Sequence, residues 1–185
     1  MDRRQAKTRK AVMEAFTNLL EHKSYGNITV QEIIDAADIG RSTFYAHFET
    51  KDDLLRVLCE EIFSHVFSEK PHKEKTHDFS SGTYGMAEKV THMLYQLDDS
   101  RSYLRGILAG ESSDIFMRYF REHLTEIFED ALQKKIKKIP RDYLLNHATQ
   151  SFAETVRWWM AHGKYKPEEL CTFYMEAVPF FSRES

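Results

Sequence analysis

The sequence predicts an all-α fold of about nine helices, three near the N-terminus followed by a larger helical bundle. Three observations carry this. Glycine and proline are scarce, at 7 and 4 among 185 residues, which disfavours turn-rich β architectures. Apolar residues recur at spacings of three and four through most of the chain. Helix start and stop signals flank those apolar stretches at several points. At roughly 150 residues per domain, the length suits one domain or two small ones sharing a core. The division expected is 1–50 and 51–185, with 51–68 as a connecting helix.

Composition narrows the setting. Hydrophobic residues at 42% allow a substantial core. Two cysteines, Cys59 and Cys171, cannot build a disulfide framework and suit a reducing compartment. The N-terminus runs from Met1 straight into charge, unlike a secretory leader, and no stretch approaches the ~18 apolar residues of a membrane span. A cytoplasmic protein with no membrane partner is expected. The formal net charge of −3 taken alone opposes a nucleic-acid partner. Its placement says otherwise, because Arg3, Arg4, Lys7, Arg9 and Lys10 face only Asp2 within the first ten residues. That block is either a local electrostatic feature or a solubilising tail.

The elements follow in order. From Lys7 to Lys23, Val12, Ala15, Phe16, Leu19 and Leu20 form one apolar stripe, and Ser24-Tyr25-Gly26-Asn27 stops the helix. Thr29 is a good N-cap for a second helix. Glu32 three residues on completes a capping box, and Ile28 is placed to staple onto Ile33. Asp38-Ile39-Gly40 ends that helix within about two turns. A third short helix covers Arg41 to Phe48. Thr50 then caps a fourth, with Asp52 and Asp53 in the first turn where the helix dipole favours acids. Leu54, Leu58, Ile62 and Val66 mark its apolar face. Residues 69–83 are polar, contain Pro and Gly, and read as a linker or mobile loop. Five further helices are expected at 84–98, 101–110, 113–138, 141–162 and 167–182. Gly163 suits a helix terminus, Pro167 a helix start, and Pro179 a stop or kink.

Two short helices joined by a turn containing Gly, behind a longer first helix, match a helix-turn-helix. Phe44 and Phe48 lie one turn apart and pack inward with Ile39. At about 100° per residue, Ser42 and Ala46 then point away from that core, flanked by Arg41 and Tyr45 on one side and Thr43 and His47 on the other. A face that is small in the middle with donors at both edges permits close approach to a groove floor. Hydroxyl, imidazole and guanidinium groups then reach phosphates and base edges.

These residues resemble the TetR/AcrR family of bacterial transcriptional regulators. The resemblance runs from about Ala6 to Leu58. It includes Thr29-Val30-Gln31-Glu32-Ile33-Ile34-Asp35-Ala36-Ala37, Ile39-Gly40-Arg41-Ser42-Thr43-Phe44-Tyr45-Ala46-His47-Phe48 and Lys51-Asp52-Asp53-Leu54-Leu55. It implies a helix-turn-helix DNA-binding domain followed by a regulatory and dimerisation bundle. By that resemblance Thr29 contacts phosphate, Arg41, Ser42 and Thr43 read bases, and Tyr45 and His47 contact phosphates. Lys51 anchors the opposite backbone, aided by the helix N-terminus there. Gly40 stands where the family usually has Ser, and Ala46 where a larger residue is common, so the operator sequence is not implied. The partner is double-stranded DNA with a palindromic operator, since a two-fold dimer presents two recognition helices to successive major grooves.

The second half also resembles a subset of the family's regulatory domains, through Trp158-Trp159-Met160, Gly163 and Pro167-Glu168-Glu169-Leu170. In that group the last two helices pair with their symmetry mates, which implies a homodimer. The stripes Leu144, Ala148, Phe152, Val156 and Trp159, and Leu170, Phe173, Tyr174, Ala177, Val178 and Phe181, are apolar enough to need a partner. Phe152, Val156, Trp159, Phe173, Tyr174, Ala177 and Phe181 are the interface candidates, although spacing does not separate interface from core. A pocket for a small apolar or aromatic effector is expected inside the bundle. Its candidate lining is Phe63, Phe67, Tyr84, Met93, Tyr103, Ile107, Phe116, Tyr119, Phe120 and Trp158. Polar contacts are open among Glu111, Asp114, His92, His123 and Asn146.

Catalysis finds little support. The 9 histidines include no His-Glu-x-x-His run and no zinc spacing with cysteine, so no metal, cofactor or catalytic residue is expected. Nothing near Cys59 activates a thiol, and Gly82 and Gly85 form no phosphate-binding loop. The reading is a ligand-responsive regulator acting as a repressor. The alternatives are a helical carrier or enzyme with a vestigial helix-turn-helix, and a regulator controlled by a protein coregulator.

Overall fold

The computed structural model describes residues 3–66, 85–110, 113–132 and 139–178. Among these residues every regular element is helical: α1 (Arg3–His22), a 3-10 turn (Tyr25–Asn27), α2 (Val30–Ala36), α3 (Arg41–Tyr45), α4 (Lys51–Val66), α5 (Met86–Asp99), α6 (Arg101–Leu108), α7 (Ser113–Leu132), α8 (Arg141–His162) and α9 (Pro167–Ala177). The all-α expectation stands. The loop expected at 69–83 lies outside the described residues, as do the ends proposed for α7 and α9 beyond Leu132 and Val178.

The local signals act as written. Thr29 Oγ1 accepts the Glu32 N–H at 3.2 Å while the Glu32 carboxylate accepts the Thr29 N–H at 2.9 Å, closing the capping box. Ile28 and Ile33 are both buried, as a staple requires. Thr50 and Asp53 form the same reciprocal pair at α4, at 3.1 and 3.0 Å. Gly163 takes the left-handed conformation after α8, at φ 61°, and Pro167 opens α9.

Three details depart from expectation. The bend between α2 and α3 is made by Asp38, at φ 50°, and not by Gly40, whose backbone is extended at φ −76°. Aspartate tolerates the left-handed region through its short polar side chain. The α3 helix proper ends at Tyr45 and not at Phe48. Its last turn is carried on by the bond from the Phe48 N–H to the Phe44 carbonyl at 3.0 Å, with His47 N–H on the same carbonyl at 2.9 Å. α1 in turn begins at Arg3, four residues before Lys7, so the basic block is helix and not tail.

The chain forms two compact units, residues 1–61 with 100–116, and residues 62–99 with 117–185. This differs from a linear cut at residue 50, because α6 packs on α1. In the first unit Val12, Phe16, Leu20, Ile33, Phe44, Phe48 and Leu54 supply the core. In the second, Phe120, Phe128, Phe152 and Tyr174 form a chain of ring contacts with centroids 5.0 to 6.1 Å apart. Phe63 stacks on Phe120 at 5.5 Å.

Candidate nucleic-acid interface

α3 presents two unlike faces. Phe44 and Phe48 are 0% and 3% exposed and anchor the inner face. Arg41, Ser42, Tyr45 and Ala46 are exposed, while Thr43 and His47 are half-buried at the edges. The Arg41 guanidinium lies over the Tyr45 ring at 5.8 Å, and that ring meets Phe44 edge-on at 5.4 Å. Each contact restrains a long side chain without hiding its polar end. Gly40 precedes α3 with no side-chain cap, and a β-carbon there would meet only Thr43 Oγ1 at 3.6 Å and Ser42 Oγ at 3.9 Å.

The α2 start lies beside this face in the chain's order and is fixed by its capping box. Glu32 is held to about 2, chiefly by the Lys23 ammonium hydrogen-bonded to it, so the box stays charged at neutral pH. Thr29 is exposed with its hydroxyl engaged by Glu32.

Lys51 is placed in an unanticipated way. Its ammonium donates to the Ile28 carbonyl at 2.7 Å and the Tyr25 carbonyl at 2.9 Å, and sits 4.2 Å from the Tyr25 ring centroid. Partial burial pushes its pKa down. The Tyr25 hydroxyl donates to Asp52, and burial followed by that bond pushes the phenol up. Two of the three Lys51 N–H groups therefore tie the start of α4 to the segment leading into α2. No spacing rule signals this, because the partners are backbone carbonyls more than twenty residues away.

A family model described as "Bacterial regulatory proteins, tetR family" matches residues 12–58, and one described as "Transcriptional regulator C-terminal region" matches 85–177. A TetR transcriptional regulator from Streptococcus agalactiae 2603V superposes with a TM-score of 0.76 at 31% identity, covering 96% of each chain. This chain belongs to the TetR family. It is a helix-turn-helix transcriptional regulator, as its first 58 residues indicated. Other TetR-type relatives are the dhaKLM operon activator DhaS of Lactococcus lactis, 24% identical over 92% of this chain and 79% of that protein, and the Bacillus subtilis regulator YxbF. The YxbF match is 38% identical over 71 residues and spans 36% of this chain but 19% of YxbF, so the chain aligns with a fraction of that relative's length. A solved structure of a dihydroxyacetone kinase operon activator DhaS has a TM-score of 0.65 at 19% identity, covering 94% of each chain.

The residues expected in a TetR-type regulatory half fall out as follows. Phe63, Met93 and Phe120 are buried in the second unit with Tyr119 half-buried, whereas Tyr103, Ile107 and Phe116 belong to the first. Trp158 is not interior. It is 42% exposed and stacks on His162 at 4.8 Å and Tyr165 at 5.5 Å. Phe152, Val156, Trp159 and Tyr174 are at most 1% exposed, so they are core of this chain and offer a partner no surface. Phe173 is 43% exposed and Ala177 is exposed. Tyr143, at 61%, is an exposed aromatic of α8 that the apolar stripe passed over because it lies on another face. Phe67, Tyr84 and Phe181 lie outside the described residues. No helix among the described residues is long and apolar enough to cross a membrane, and no group of three potential ligands there can hold a metal ion.

Proposed function

We propose that this TetR-family protein binds a palindromic DNA operator as a homodimer and releases it when an effector occupies the regulatory half. The observation that carries the reading is the exposed Arg41-Ser42-Tyr45-Ala46 face backed by fully buried Phe44. Arg41, Ser42 and Thr43 read base edges, and Gly40 and Ala46 keep the helix surface low enough for the groove. Thr29, Tyr45 and His47 hold phosphates. Lys51 positions the α2 start with two donors and offers the third to the backbone.

The dimer face is the exposed part of α8 and α9, with Tyr143, Trp158, Phe173 and Ala177 replacing the buried members of the stripes. The effector is a small apolar or aromatic molecule. Phe63, Phe120 and His123 support this site, with the His123 ring 4.9 Å from Phe63. Its Nδ1 donates to the Tyr119 carbonyl at 2.9 Å, because a carbonyl only accepts. Switching requires the effector to prefer the DNA-incompetent state.

Repression follows from steric exclusion wherever the operator overlaps a promoter. Activation is the second reading, favoured by the name of DhaS, an activator alike over 92% of this chain. Fluorescence anisotropy with Arg41→Ala and Tyr45→Ala tests the DNA face. Each is expected to weaken binding to a selected palindrome at least tenfold with unchanged helicity, and parent-like binding by both refutes the assignment.

A further inference from the structure

Arg9 stands at a core position of α1. It lies three, four and seven residues before Val12, Met13 and Phe16, all buried, so it continues their stripe toward the N-terminus. An amphipathic helix ordinarily carries an apolar side chain there, and a cation in its place needs a reason. Arg9 is half-buried, and its guanidinium lies over the Phe48 ring at 5.5 Å. A guanidinium is a flat plate that covers an aromatic face, which the compact ammonium of lysine does not do. Burial raises the Glu61 carboxyl of α4 and the Arg9 charge opposes that rise, so the same guanidinium lies within electrostatic reach of α4.

Phe48 holds the end of the recognition segment. α3 proper has five residues, too few to sustain a helix without tertiary anchors. Beyond Tyr45 the chain is kept in place by the Phe48 N–H bond to the Phe44 carbonyl and by the Phe48 ring, 5.8 Å from that of Phe44. The His47 ring sits 6.4 Å from the Phe48 ring, tilted at 47°. Arg9 of α1 and His47 of the recognition segment therefore share Phe48 as a neighbour, and whatever fixes that ring also fixes the surface on which the imidazole leans.

We propose that Arg9 is a positioning residue for DNA binding: by covering the Phe48 ring it fixes the last turn of the recognition segment and aims His47 at a phosphate, without itself touching DNA. The proposal rests on His47 as a phosphate holder and adds the residue that orients it.

The test is a double-mutant cycle in the full chain with Arg9→Met, His47→Ala and the pair together. Binding to a selected palindrome is followed by fluorescence anisotropy over a salt series, with urea unfolding beside it. Methionine keeps an apolar stem on the buried stripe but lacks the plate. Arg9→Met alone should weaken binding about fivefold per half-site. In the His47→Ala background it should change neither affinity nor salt slope, since there is no longer a ring to aim. A further loss in that background, with the slope of log K against log salt shrinking by about 0.9 per chain, makes Arg9 a phosphate contact and overturns the proposal. Parent-like affinity of Arg9→Met with only a lowered urea midpoint reduces Arg9 to packing and overturns it too. Arg9→Lys keeps the charge and covers the case in which methionine misfolds. It should lose about twofold or more, again only where His47 is present. Full affinity of Arg9→Lys would show that charge alone suffices and contradict the stacked plate. All these outcomes leave the α3 reading intact, whereas a parent that binds no palindrome, or a His47→Ala variant that binds like the parent, overturns the reading beneath the proposal.

Discussion

A β-carbon on Gly106 of α6 would lie 2.1 Å from the Leu20 carbonyl oxygen of α1, and 2.7 Å from the Lys23 carbonyl oxygen. Both atoms are backbone and cannot swing aside, so α6 meets the end of α1 at a distance that glycine alone permits. Ser102 Oγ donates to Glu21 at 2.9 Å along the same contact. Glycine in a helix interior is disfavoured by about 1 kcal/mol against alanine, and the close approach is what retains it.

Gly106→Ala is therefore expected to destabilise the protein by about 1–3 kcal/mol despite alanine's better helix propensity. Urea unfolding measures it. A midpoint equal to or above that of the parent contradicts the close packing.

Asp38 gives a second, opposite case. Its φ of 50° places a non-glycine residue in the left-handed region at the α2–α3 bend. Asp38→Gly should leave stability within about 0.5 kcal/mol, whereas Asp38→Val should lose about 1–2 kcal/mol. Thermal melts that rank valine with glycine would rule out the strained bend.

Lys51→Met removes the charge that bonds the Tyr25 and Ile28 carbonyls while keeping much of the apolar stem. A loss of about 1–3 kcal/mol is expected, since bonds to charged groups are the stronger ones. DNA affinity should fall with it, because Thr29 loses its fixed position. Unchanged stability with weakened DNA binding would instead assign Lys51 to phosphate alone.

The exposed aromatics predict the assembly. Trp158→Glu together with Phe173→Glu places two carboxylates where surface rings now stand, at 42% and 43% exposure. Sedimentation equilibrium should give half the parent's mass with helicity retained. A parent that is monomeric at micromolar concentration refutes the dimer face.

Which of these features the sequence announces depends on how local their physics is. The Thr29–Glu32 and Thr50–Asp53 boxes, the inward Phe44 and Phe48, and Gly163 before Pro167 involve partners within four residues, and each is present where the residue pattern puts it. The helix-turn-helix and the family follow from them. Periodicity, however, reports only that a face is apolar, not what covers it. Hence Phe152, Val156, Trp159 and Tyr174 belong to the core although their stripe suits a dimer, and Trp158 is exposed although aromatic. The Gly106–Leu20 contact and the Lys51 clamp join segments far apart in the chain, and neither leaves a local pattern. A lone glycine inside the α6 apolar stretch was the one available hint of the first.

Selection from a randomised duplex pool, with parent protein and Arg41→Ala in parallel, tests the central claim most directly. The account predicts that the parent enriches a palindrome whose half-sites lie one helical turn or a multiple apart, and that Arg41→Ala relaxes the preference at one symmetric pair of positions. Enrichment of no palindrome by the parent, or the same palindrome with undiminished preference from Arg41→Ala, would contradict it.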